Sequence, residues 1–130
     1  MHHPLFTDGR GHHAEAECLR SREYGGGRAG LGLLELLEAQ RVDLVLAGHE
    51  HVLMAKRAGR TLHVGCGAAV ECLFYKGRRE LPLREADWCL ERSRGFVACE
   101  ADERLLRVRF VRCGDLEVVK EYEIQRQERT

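Results

Sequence analysis

Six of the seven histidines in this chain come in three close pairs: His2-His3, His12-His13 and His49-Glu50-His51. Neutral imidazole is the commonest protein ligand for zinc, iron and manganese. It does not suit magnesium or calcium, which prefer oxygen. His49 and His51, two residues apart, therefore suggest a metal site. His49 and His51 would form one half of it, and His2 is a third candidate ligand. His12 and His13 lie near enough to His2 in sequence to lean over the same site. There a histidine can give a proton or touch an anion, because its ordinary pKa is close to neutrality. A blander reading stands beside this one: a small α/β domain with incidental histidines. In that reading His49 and His51 are a chance loop pair, His2-His3 is a tag remnant, and His12 and His13 are solvated. His63 sits inside an expected strand and reads as a satisfied structural histidine.

The elements that would hold these residues are legible. Val42, Leu44, Val45, Leu46 and Ala47 form an apolar run that reads as a buried strand. Gly48 ends it, where the chain is expected to turn past a point that a side chain would obstruct. The histidines at 49 and 51 then fall on a strand-end loop, where layered α/β proteins hold ligands. Upstream, Leu31 to Gln40 is the best helix, with Leu33, Leu34 and Leu37 at three- and four-residue spacing and Glu35 and Glu38 on the other side. Helix followed by buried strand is half of a layered unit. Met1 to Phe6 resembles the tail of a strand entering a loop, and Pro4 would stiffen the exit. Ala14 to Arg22 favours a short helix, which Gly25-Gly26-Gly27 breaks.

After His51 the pattern turns to β. Short strands are expected at Val52 to Lys56, Leu62 to Val64 and Val70 to Tyr75. Lys76 to Arg94 is charged and reads as irregular. Gly95 to Ala101, a strand around Leu106, Val108 and Phe110, and Leu116 to Ile124 then form an antiparallel meander. Asp102-Glu103 makes its first turn, Cys113-Gly114-Asp115 its second, and residues 125–130 a frayed tail.

Composition narrows the class. With 44% apolar residues the chain is globular rather than disordered. Lysines and arginines number 21 and so do the carboxylates, which argues against a nucleic-acid partner. No apolar run approaches the ~20 residues that span a bilayer, so no membrane partner is expected. No signal peptide is visible, which makes the cytoplasm the default location. The six cysteines form no Cys-x-x-Cys pair, so a zinc ribbon is not expected. Cys66 and Cys99 lie among apolar residues and read as buried thiols.

The order of these features carries a resemblance. His2-His3-Pro4, then the helix at Leu31–Gln40, then Val42–Ala47 closing in Gly48-His49-Glu50-His51, then Thr61–Ala68 and the β-rich close from Gly95, resembles the C-terminal half of the calcineurin-like metallophosphoesterases. The pattern is closest to the purple, or tartrate-resistant, acid phosphatases. The resemblance covers nearly the whole chain. It implies the C-terminal part of a two-sheet α/β/β/α sandwich, with metal ions in a cleft at strand ends. It implies that His2 and His49 bind one metal and His51 the other, and that His12 or His13 contacts substrate. The intact enzyme would hold two divalent or trivalent ions (iron, zinc or manganese) and direct a metal-bound hydroxide at a phosphoester. Two such ions ~3.5–4 Å apart clamp a phosphate and acidify water.

The family's first-half segments, Asp-x-His, Gly-Asp-x-x-Asp and Gly-Asn-His-Asp/Glu, are not found here, and the chain has no asparagine. Residues 1–130 are therefore expected to be the C-terminal portion of such a domain, its N-terminal half absent or supplied by a second chain. Alone it should hold at most one metal and be inactive. The alternative is a non-catalytic metal- or protein-binding module of the same fold.

Overall fold

The computed structural model describes residues 1–7, 16, 19–20, 32–68, 85–91 and 93–126. The helix expected around Leu31–Gln40 is present as α1, Leu33–Ala39. Its start is fixed by Glu35, whose carboxylate accepts a hydrogen bond from Gly32 N–H at 3.1 Å, satisfying one orphan donor of the first turn. Arg41, at φ 54°, turns the chain out of the helix toward the first strand.

Four strands form a mixed sheet: β1 (Leu44–Ala47), β2 (Leu53–Ala58), β3 (Thr61–Cys66) and β4 (Trp88–Leu90). Their order is β1-β3-β2-β4. β1 runs parallel to β3, with Leu44 opposite Leu62 and Ala47 opposite Gly65. β2 and β3 form a hairpin that turns at Gly59-Arg60, where Gly59 takes φ +56°. The second sheet is the expected meander of β5 (Gly95–Ala101), β6 (Leu105–Arg112) and β7 (Val118–Gln125). Its first turn is held by Asp102, whose carboxylate accepts hydrogen bonds from Arg104 and Leu105 N–H. The fold class is α/β, with one mixed and one antiparallel sheet.

The two sheets share one core. Leu53, Ala55, Leu62 and Val64 of the mixed sheet pack with Val108, Phe110 and Ile124 of the meander. Trp88 meets Phe110 edge-on, ring centroids 4.8 Å apart. The period of two sends Thr61, His63 and Gly65 to the opposite face of β3. That face is covered too: Pro4, Leu5 and Phe6 line one small cavity with Val45, Ala47, Met54 and His63. Burial on both faces explains why β3 reads as an almost unbroken buried run.

Several expectations change. β2 and β3 are longer than the expected Val52–Lys56 and Leu62–Val64, because the tight hairpin extends their ladder to Ala58 and Thr61. Within the stretch expected to be irregular, β4 pairs with β2, Trp88 opposite Ala55 and Leu90 opposite Leu53. Cys99 is exposed, not buried; it lies on β5, one of the meander's two edge strands. Cys66 is half-buried, and burial pushes its thiol pKa up. Ala16, Leu19 and Arg20 are helical. The rest of the expected early helix, the strand at Val70–Tyr75, His12 and His13, and residues 127–130 lie outside the described residues.

Candidate metal centre

The loop after β1 is the centre of the site. Residues 1 and 2 run beside the end of that strand: Met1 N donates to Leu46 O at 2.8 Å and Gly48 N–H to His2 O at 3.0 Å. This brings the start of the chain to the Gly-His-x-His segment across 47 positions of sequence. Gly48 is not the tight point that was expected. A Cβ there would sit 3.9 Å from His2, an ordinary contact. The unusual backbone belongs to the histidines, with φ 69° at His49 and φ 54° at His51. Glu50 N–H closes back on Gly48 O at 2.8 Å, a γ-turn centred on His49. Non-glycine residues in this region carry a backbone cost and cluster at functional sites.

The side chains converge as follows. His49 Nδ1 lies 3.1 Å from His2 Nε2. The His3 ring is 4.2 Å from that of His49 and 4.8 Å from that of His2, centroid to centroid. One ligand nitrogen from each of His2, His3 and His49 falls within 4.8 Å of the others. Among the described residues this is the one group of three or more potential ligands so placed. His51 is outside the group, and its Nδ1 is buried with no hydrogen-bond partner. Glu50, between the two histidines, is 2% exposed, and neither carboxylate oxygen finds a partner.

The donor set fits a single first-row ion. Tetrahedral Zn–N bonds of ~2.0–2.1 Å place ligand nitrogens roughly 3.3 Å apart. The His2–His49 pair already has about this spacing, at 3.1 Å. The set does not fit a pair of ions, because none of the grouped ligands is a carboxylate that could bridge two metals.

The loop bearing His2 and His3 is pinned from behind. Arg20 donates to Leu5 O at 2.6 Å and pairs with Glu85 at 3.0 Å, while Glu85 also accepts from Thr7 N–H at 2.8 Å. The Arg20 guanidinium lies 4.9 Å from the Phe6 ring centre, a cation–π distance. Phe6 in turn meets the edge of His63 at 4.8 Å. His63 is buried as expected, but it is not satisfied. Neither ring nitrogen has a hydrogen-bond partner, and burial holds its pKa down at about 4.

Sequence reasoning passed over His3, Glu50, Arg20 and Glu85. A doublet of histidines beside a strand end is a signal that could have flagged His3.

The chain is thus α/β, with two sheets over one core and a histidine cluster at the end of β1. No family model and no curated protein matches the sequence. Among solved structures, GAP50, the anchor in the inner membrane complex of Plasmodium, has a TM-score of 0.72 at 18% identity. That likeness covers 98% of this chain and 35% of the other, so this chain spans about a third of its length. It shows a shared fold. A conserved protein of Streptococcus pneumoniae described as a predicted phosphoesterase reaches a TM-score of 0.45 at 21% identity, over 72% of this chain and 46% of that one. Wild-type Vps29 of Entamoeba histolytica, complexed with Zn²⁺, reaches 0.43 at 21% identity, over 77% and 47%. These two likenesses are too low to carry an argument. No helix among the described residues is long and apolar enough to cross a membrane.

Proposed function

We propose that this chain carries one half of a metal-dependent phosphoester hydrolase site, of the calcineurin-like type that its histidine order resembles. The observation that supports this best is the 3.1 Å approach of His2 Nε2 and His49 Nδ1 at the end of β1. In this reading His2 and His49 hold one ion, His51 serves a second one in the complete two-metal sandwich, and His12 or His13 contacts the phosphate or the leaving group. A first-row ion supplies Lewis acidity toward a phosphate oxygen and lowers the pKa of water. The chain's own residues do the rest. The pinned loop at Pro4–Thr7 fixes where the His2 ring stands, and the turn at His49 fixes its partner. The chain alone is inactive, because the carboxylates that bridge two ions come from elsewhere.

A second reading is a non-catalytic module that binds a metal or a protein partner. The all-histidine group, without a bridging carboxylate, supports it. So does the fold shared with a protein described as an anchor.

Metal content of the folded chain, measured by elemental analysis after dialysis against zinc, iron or manganese, tests the common premise. Bound metal that is lost in His49→Ala supports the site. Binding that is unchanged in His49→Ala overturns it. Hydrolysis of p-nitrophenyl phosphate by the loaded chain would exclude the module and overturn the claim that the chain alone is inactive.

A further inference from the structure

We infer that His3, rather than His51, completes the ligand set of this chain, giving a mononuclear three-histidine site for one first-row transition ion with His2 and His49. This rests on the metal-binding premise above and departs from it in the third ligand and in the number of ions.

Three observations support the assignment. The nitrogens of His2, His3 and His49 are the ones brought within 4.8 Å of one another, while His51 is left out. The γ-turn at His49, closed by Glu50 N–H on Gly48 O, reverses the chain at His49 itself, ahead of His51. His51 follows at φ 54° and lies outside the group. Finally, His3 needs little adjustment. From 4.8 Å the group has to close by roughly 1.5 Å to reach tetrahedral N···N spacing. Rotation about the two side-chain torsions of a histidine covers that distance without moving the anchored backbone at Pro4 and Leu5.

The chemistry follows from the set. Three neutral imidazoles leave the ion its full positive charge and an open position for water or an anion. They select zinc, cobalt or iron over magnesium and calcium.

The test is calorimetric titration of the full 130-residue chain with zinc, together with visible absorption of its cobalt(II) form. Wild type is compared with His3→Ala, His49→Ala and His51→Ala. Each variant's circular dichroism confirms folding. The expected result is one ion per chain. His3→Ala and His49→Ala should each weaken zinc by more than the ~10–100-fold typical of changes outside the ligand shell. His3→Ala should also lose the intense visible bands of four-coordinate cobalt(II). His51→Ala should leave stoichiometry and spectrum unchanged. Dependence on His49 and His51 but not His3, or two ions per chain, would overturn this inference and leave the metal-binding premise standing. No binding, or binding indifferent to His49, would overturn both.

Discussion

Replacing His63 by leucine should stabilise the protein, and by more as the pH falls. His63 is 4% exposed and neither ring nitrogen has a hydrogen-bond partner. Its cross-strand neighbours are Val45 on β1 and Lys56 on β2, and Phe6 covers it from the loop. None of these offers an anion that would favour the imidazolium. At pH 8 the ring is neutral in both the folded and unfolded chain. Leucine then removes the cost of unsatisfied polar atoms, about 1–3 kcal/mol, and loses an edge-on ring contact of about 0.5–1.5 kcal/mol. The net gain is about 1 kcal/mol.

Acid adds a second term. Burial lowers the folded-state pKa from 6.5 to about 4, so between these values the unfolded chain binds the extra proton. Stability is full above pH 6.5, falls as pH drops toward 4, and levels off below. At about 1.4 kcal/mol per unit, the wild type loses about 3 kcal/mol through this residue by pH 4. The variant loses none of it. Urea midpoints of both proteins at pH 8, 6, 5 and 4 should therefore diverge from about 1 to about 4 kcal/mol. Every group common to the two proteins cancels in the difference between them. Parallel pH profiles would refute the reasoning, because they would mean that the ring is solvated or partnered.

Three further outcomes are expected. Gly67→Ala places a Cβ 2.7 Å from Leu53 Cδ2 and 2.9 Å from Gly95 O, at a residue with φ +82°. Left-handed backbone and overpacking together should cost about 2–5 kcal/mol in urea unfolding, and a loss under about 1 kcal/mol would contradict the packing described. Phe110→Ala empties a fully buried position against Trp88 and Tyr122. It should cost about 3–5 kcal/mol and shift the emission of Trp88, the chain's single tryptophan, to the red; unchanged emission would place the indole elsewhere. Arg20→Ala removes the ion pair with Glu85, the bond to Leu5 O and the contact with Phe6. Thermal unfolding should show a loss of about 1–3 kcal/mol and zinc affinity should fall, with Arg20→Lys recovering only part because it lacks the planar fork. Equal zinc affinity in all three proteins would show that the loop holds its place without this anchor.

What was legible in the sequence was whatever repeats or runs. Leu106, Val108 and Phe110 alternate over one face, so the meander could be read from period alone. Leu44 to Ala47 form an apolar run ended by Gly48, so β1 and its terminal loop could be read as well. β4 could not, because three residues inside a charged stretch give too short a pattern, and its stability comes from pairing with β2 and from Trp88 against Phe110. The burial of His63 was legible from its place in a strand. Its lack of partners was not, since that depends on Phe6, which reaches it from 57 positions away.

The site divides along the same line. Spacing along the chain identified His49 and His51 together, but a two-residue separation says nothing of the turn between them. With His49 at φ 69° and Glu50 folded back on Gly48, His51 stays outside the group that His49 joins. His3, at the far end of the sequence, is brought to within 4.2 Å of the His49 ring. The same turn accounts for Glu50. A spacer residue in an open loop would be solvated, whereas here the reversal buries its carboxylate to 2% exposure. Sequence spacing thus locates the loop that makes the centre, and the backbone conformation of that loop decides which side chains meet there.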